Sequence, residues 1–241
     1  AQNMGRLVEE YGKVTAAYLK PIERGEAKTG QADEASDMVK TLGRVAERWV
    51  NDPSKNIEAH ASLTGDFMNL WSTALKRASG EEVAPVAEPD KRDGRFKDPD
   101  WTNHPTFDFI KQAYLIGSRW AETMVDKADD LDPHTREKAR FYIKQIAGAL
   151  SPTNFVATNP ELLRETMQQN GENLVRGMKM YAEDVEAGGG ELKIRQSDAS
   201  SFEVGVNIAT TPGKVIFRNE IIELIQYAPS TPQVLKRPLL I

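Results

Sequence analysis

Few residues in this chain have the types and spacing that chemistry needs. Gly213-Lys214 invites a phosphate-loop reading, but that loop requires a glycine five residues earlier, where Ile208 stands, and Ser or Thr after the lysine, where Val215 stands. A plain turn before a strand fits better. Gly188-Gly189-Gly190 has the composition of a backbone anion nest, yet it follows a helical pattern, so the favourable dipole end faces away. A helix C-cap is the simpler reading. His60, His104 and His134 are far apart, and none has a partner at helical metal-ligand spacing. The acidic run Asp126, Asp129, Asp130 and Asp132 lacks the glycine of a calcium loop: Thr135 occupies its place in a loop begun at Asp130. Ser118 follows Gly117, but Ile116 and Trp120 take the two positions where a nucleophile elbow needs glycines. With no cysteine in the chain, disulfides, thiolate-held metals and cysteine nucleophiles are excluded within it. No catalytic residue, cofactor site or metal site can be assembled from these groups.

The elements around them are mostly helical. Leu7, Tyr11, Val14 and Tyr18 fall at i, i+4, i+7 and i+11, and Met38, Leu42, Val45 and Trp49 repeat that spacing. So do Leu63, Phe67, Leu70 and Ala74, with Trp71 and Leu75 widening the stripe. Pro21 is expected to stop the first helix and Asp52-Pro53 to close the second. Asp33, Glu34 and Asp37 suit a helix N-terminus. Two roles are open for these stripes. They form an internal core, or they present a docking surface, for which Met38, Leu42, Val45, Trp49, Phe67, Leu70 and Trp71 are the candidate interaction residues.

Residues 79–104 are charged and rich in Pro and Gly, which predicts a linker with little to bury. Residues 105–190 return to helix, with Phe107, Ile110, Tyr114, Ala121 and Met124 on one face. Asp132-Pro133 and Asn159-Pro160 have the form of a cap followed by proline at the first helical position. After residue 190 the period changes. Leu192, Ile194 and Phe202 to Ile208 alternate; Lys214–Phe217 and Ile221–Tyr227 read as a hairpin. Leu239-Leu240-Ile241 reads as the start of a strand buried on both faces, so the chain is expected to be the leading portion of a longer protein.

Composition narrows the class. Of 241 residues 39% are hydrophobic and 28% charged, as in a soluble globular protein, and the net charge of -5 argues against nucleic-acid binding through bulk positive charge. No apolar run approaches the ~20 residues of a transmembrane helix, and no secretory signal opens the chain, so a cytoplasmic location is expected.

Several motifs in order carry a resemblance. Asp93-Gly94-Arg95-Phe96-Lys97-Asp98-Pro99-Asp100-Trp101 is followed by Phe107-Asp108-Phe109-Ile110-Lys111-Gln112-Ala113-Tyr114-Leu115, by Leu150-Ser151-Pro152-Thr153-Asn154-Phe155, by Thr158-Asn159-Pro160-Glu161 and by Gly171-Glu172-Asn173-Leu174. Ala209 to Val215, Phe217 to Glu220, Glu223 to Tyr227 and Arg237 to Ile241 complete the set. Residues 93–241 thus resemble the N-terminal region of the class I polyhydroxyalkanoate synthases, and residues 1–78 resemble that branch's variable helical leader.

The resemblance implies an acyltransferase that polymerises (R)-3-hydroxyacyl groups, typically 3-hydroxybutyryl, from coenzyme A thioesters into storage polyester. Its cysteine nucleophile, histidine and aspartate belong to an α/β-hydrolase domain and match no position here. The implied architecture is a mostly α-helical N-terminal domain followed by the first β-hairpin and strand of a truncated α/β-hydrolase domain. Its parts are a helical leader (1–78), a linker (79–104), the helical domain (105–190) and the start of the catalytic domain (191–241). The chain is then expected to be inactive alone and to need no cofactor. Its implied partners are the polyester granule surface, granule-associated proteins and a second copy in a dimer, with acyl-CoA bound only through the catalytic domain. A free-standing, phasin-like granule coat is the alternative; it would explain the amphipathic helices but not the hairpin.

Overall fold

The computed structural model describes residues 2–23, 30–129 and 131–240, with side chains of 21–23 and 30–33 also outside the description. Asp130, Ile241 and the side chain of Asp33 therefore lie outside the described residues. Two compact units divide the chain, Ala1–Lys193 and Ile194–Ile241.

The first unit is helical: α1 (Gln2–Glu23), α2 (Gly30–Asn51), α3 (Pro53–Ala78), α4 (Asp100–Asn103), α5 (Pro105–Asp126), α6 (Pro133–Ala149), α7 (Pro160–Gln168) and α8 (Glu172–Ala187). The cap-and-proline pairs act as expected. Asp52, Asp132 and Asn159 each accept a hydrogen bond from a backbone N–H in the first turn (Lys55, Thr135 and Leu162, 3.0–3.1 Å), and the following proline lacks only an N–H that the helix would leave unpaired. Pro21, by contrast, does not stop α1, which continues to Glu23. So close to the C-terminus, a proline's missing N–H removes a hydrogen bond from the last turn alone. After α8, Gly189 (φ +64°) and Gly190 (φ +98°) supply the left-handed turn, and Gly190 N–H donates to the Val185 carbonyl at 3.0 Å.

Two apolar clusters hold α2 to α6. In one, Val45 and Trp49 of α2 pack with Val125, Ala128, Leu131 and Ala139, and the Trp49 indole donates to the Met124 carbonyl at 2.8 Å. In the other, Leu70 of α3 packs with Ala87, Phe96, Trp101, Leu115 and Ile116. The predicted linker thus contributes Ala87, Phe96 and Trp101 to the core. A charged, Pro-rich stretch can do this because a few apolar side chains suffice when the helices beside it leave a groove.

Elsewhere α1 packs on α8. Val14 and Ala17 are buried, whereas Tyr11 of the predicted stripe is exposed. The small Ala17 lets the helices approach, and Tyr18 and Tyr181 meet hydroxyl to hydroxyl at 2.9 Å. In α5 the fully buried positions are Asp108, Lys111, Gln112, Leu115, Ile116 and Val125. Phe107, Ile110, Tyr114, Ala121 and Met124 flank them, half-buried.

In the second unit β1 (Gly213–Arg218) and β2 (Glu223–Tyr227) form the expected antiparallel hairpin, with Lys214 opposite Gln226 and an irregularity between Val215 and Phe217. The Asn219 side chain accepts from the Ile221 and Ile222 N–H groups, both at 2.8 Å, and so fixes the turn. Neither 192–194 nor 202–208 becomes a strand; an isolated Val204–Ile208 bridge is all that forms there. Leu239 and Leu240 are exposed coil. Alternating apolar residues need a partner strand to extend the ladder, and among the described residues only β1 and β2 supply one another. The described fold is mostly helical with a small two-stranded sheet.

Candidate functional site

The stretch from Val83 to Trp101 crosses α3 and α5 as a strap, and a partly buried polar network fastens it. Asp108, one turn into α5, is the anchor. Its Oδ2 accepts from Arg77 Nη1 of α3 (2.6 Å) and from Gln112 Nε2 (2.8 Å), and its Oδ1 lies 3.0 Å from Lys111 Nζ. Each donor then reaches the strap. Arg77 Nε and Nη2 both donate to the Val83 carbonyl. Gln112 Oε1 accepts from the Val86 and Ala87 N–H groups (2.7 and 3.1 Å), and Lys111 Nζ donates to the Trp101 carbonyl (2.7 Å). One buried carboxylate is thus paired with two cations, and each of its three donors also bonds to strap backbone.

The strap's own side chains close the other end. Asp93 accepts from Arg95 N–H and guanidinium, and Arg95 lies over the Phe96 and Tyr114 rings (5.4 and 5.5 Å) and donates to the Tyr114 hydroxyl at 2.9 Å. The bond from Arg95 holds the Asp93 carboxyl below its usual range. Phe96 meets Trp101 edge-on at 5.0 Å, and Trp101 is only 1% exposed. Arg164 of α7 pairs with both Asp98 (2.5 Å) and Asp100. Burial raises the Asp98 pKa, but the Arg164 and Asp100 N–H bonds outweigh it, so the net shift is downward.

A second polar tie joins α2 to α6. Asp37 accepts from the Tyr142 hydroxyl and pairs with Lys138 Nζ, both at 2.5 Å. Read as a helix N-terminal acid, Asp37 instead lies two turns inside α2, because that helix begins at Gly30. Its carboxylate holds the Tyr142 phenol pKa up to about 12 from the ordinary 10.0. A raised folded-state pKa contributes stability below the unfolded value and loses it as pH climbs through the folded one. Stability should therefore fall more steeply between pH 10 and about 12 in the wild type than in Tyr142→Phe, as read from urea midpoints at each pH.

Of the candidate interaction residues, Val45, Trp49 and Leu70 are buried in the two clusters; Met38, Leu42 and Phe67 are half-buried. Leu42, Val45 and Trp49 lie in or against the first cluster, and Phe67 and Leu70 in or against the second. Trp71 is 59% exposed, with one side against Phe109 at 4.8 Å. Arg77, Asp108, Lys111 and Gln112 escaped sequence reasoning. The signal was present: Asp108, Lys111 and Gln112 share one helical face with Leu115, so polar groups sit where apolar ones belong.

The groups with chemical potential stand apart. His60 lies against Trp120 and His104 against Phe107. Ser118 is inside α5, and Gly213-Lys214 opens β1. A cleft of about 630 Å³ runs between Trp49, Ala59, Ile116 and Trp120, with Lys55 at its edge paired to Asp129 and Asp126 to Arg140. The arrangement fastens helices, and among the described residues these groups are not brought together.

Residues 92–241 match the family described as "Poly-beta-hydroxybutyrate polymerase (PhaC) N-terminus". The chain belongs to this family. The PhaC N-terminus match opens beside Asp93 and takes in most of the strap, α5 to α8 and the hairpin. Over all 241 residues the chain is 53% identical to the poly(3-hydroxyalkanoate) polymerase subunit PhaC of Rhizobium meliloti (strain 1021), of which it covers 39%. It is 51% identical to the poly(3-hydroxyalkanoate) polymerase of Methylorubrum extorquens, covering 41%. Across 73% of the chain it is 39% identical to PhaC of Cupriavidus necator, covering 28% of that protein. The chain thus spans about two-fifths of the length of the PhaC relatives that match it throughout. No solved structure matches it. No helix among the described residues is long and apolar enough to cross a membrane.

Proposed function

We propose that this chain is the bracing N-terminal portion of a polyhydroxyalkanoate synthase, an acyltransferase that polymerises (R)-3-hydroxyacyl groups from coenzyme A thioesters and releases coenzyme A. The observation that carries this reading is the 53% identity to a poly(3-hydroxyalkanoate) polymerase along the whole chain. The catalytic groups would come from an α/β-hydrolase domain for which the β1–β2 hairpin is the leading edge. With no cysteine, the 241 residues would supply support and position. The whole enzyme would work in the cytoplasm at polyester granules. Bracing is favoured over granule docking through α2, because Val45 and Trp49 are already used inside.

A chimera tests this. The chain, substituted for the matching residues of the Rhizobium meliloti polymerase, should sustain thiol release from (R)-3-hydroxybutyryl-coenzyme A. The 241 residues alone should release none. Turnover by the chain alone, or a folded chimera without turnover, would overturn the reading.

A further inference from the structure

α7 ends in a turn whose backbone needs also create a reactive dipeptide. Asn170 and Gly171 both stand in the left-handed region (φ +52° and +83°). Gly171 N–H donates to the Thr166 carbonyl at 2.8 Å and Asn170 N–H to that of Met167 at 3.2 Å, the paired bonds of a Schellman cap. Glycine takes that conformation at no steric cost, and asparagine is among the few residues with a side chain that tolerate it. The cap therefore sets asparagine directly before glycine, and nowhere else in the sequence does that pair occur.

The surroundings leave the pair accessible. The Asn170 side chain is exposed, and among the described residues its amide has no hydrogen-bond partner. Gly171 has no side chain to crowd its nitrogen, and its Cα faces open space. Both residues line an open groove of about 520 Å³ between the α7–α8 turn and the start of α1. Asp93-Gly94 is the acidic counterpart in the same chain. There the carboxylate accepts from the Arg95 N–H (3.1 Å) and guanidinium (2.8 Å) and is held below its usual pKa, so it stays ionised and is a poor electrophile. The Asn170 amide carries neither the tie nor the charge.

We propose that Asn170 is a site of spontaneous modification, which deamidates by attack of the Gly171 backbone nitrogen and so loosens the start of α1 from the α7–α8 turn. Gly171 N bonds to Asn170 Cγ and closes a succinimide ring. The side-chain amide leaves as ammonia, taking the proton that Gly171 loses. Water then adds to either ring carbonyl. Opening at one gives aspartate; opening at the other gives an isoaspartyl link, in which the main chain runs through Cγ. Water is the one co-reactant and ammonia the one by-product. Because Gly171 N–H is held by Thr166, attack waits for the turn to open, and the folded chain reacts more slowly than the unfolded one.

The product reaches α1. The Asn170 carbonyl accepts from Asn3 Nδ2 at 3.1 Å, and Arg6 Nη1 pairs with Glu172 at 2.5 Å. In the isoaspartyl form that carbonyl becomes a free carboxylate on a side branch, the main chain gains a methylene before Gly171, and a new negative charge stands beside Glu172. The inference concerns this chain's own covalent chemistry and holds independently of the polymerase reading.

The 241-residue chain, aged at mildly alkaline pH and digested at intervals for mass spectrometry, tests it. The peptide holding Asn170 should exchange the mass of an amide for that of an acid before any other asparagine peptide does, and an isoaspartyl methyltransferase should label it. Chain unfolded in urea should react about ten-fold or more faster. Asn170→Gln should abolish the change at that position, and the Asp93 peptide should gain no isoaspartate. In the aged chain, amides in the first turns of α1 should exchange about ten-fold or more faster than in fresh chain, with α5 unaltered. A folded chain that keeps the Asn170 amide, another asparagine that reacts first, isoaspartate at Asp93 to the same extent, equal rates with and without urea, or an aged chain whose α1 exchanges as before would each overturn the proposal.

Discussion

Trp101→Ala is expected to destabilise the helical unit by about 3–5 kcal/mol, as read from the urea midpoint followed by circular dichroism. The indole is almost wholly inside, edge-on to Phe96 and near Phe107 (6.1 Å). Its removal leaves a cavity that the surrounding backbone cannot close, because Lys111 and Arg164 hold the strap on either side. The same substitution at Trp71, whose ring is mostly in water, should cost under about 1 kcal/mol. Equal effects at the two tryptophans would show that the strap is not part of the core.

Asp108→Ala should be of similar size, about 3–5 kcal/mol, for a different reason. Here almost no apolar contact is lost. Instead Lys111, itself buried, is left without its carboxylate, while Arg77 loses its acidic partner. Asp108→Asn keeps the shape and some of the hydrogen bonds and should lie between the wild type and Asp108→Ala. The pairing of Asp108→Ala with Lys111→Met removes the stranded cation and should recover part of the loss, so the two effects will not add. Additive losses, or a single-variant cost below about 1 kcal/mol, would mean that the network is solvated and contributes little.

The sequence disclosed what local rules control. Asp52-Pro53, Asp132-Pro133 and Asn159-Pro160 start helices because a side-chain acceptor and a proline each answer one need of the first turn. The hairpin was legible because β-branched runs flank a three-residue polar break with Asn219 inside it. What stayed hidden depends on neighbours distant in the chain. The strap has no apolar period: Val86, Ala87, Phe96 and Trp101 are separated by charge, proline and glycine, and only the groove between α3 and α5 makes them a set. Asp108 reads as a solvated helix residue until Arg77, thirty-one positions away, is placed beside it. Alternation at 202–208 made a strand plausible, but alternation without a partner strand yields a turn.

The strap is the account's centre, and amide hydrogen exchange in the intact chain tests it most directly. The N–H groups of Val86 and Ala87, held by Gln112 Oε1, and that of Trp101, donating to the Asp98 carbonyl at 3.1 Å, should exchange as slowly as those in the middle of α5. Exchange at those three positions at the rate of an unstructured peptide, while α5 stays protected, would make residues 79–104 the linker that their composition describes.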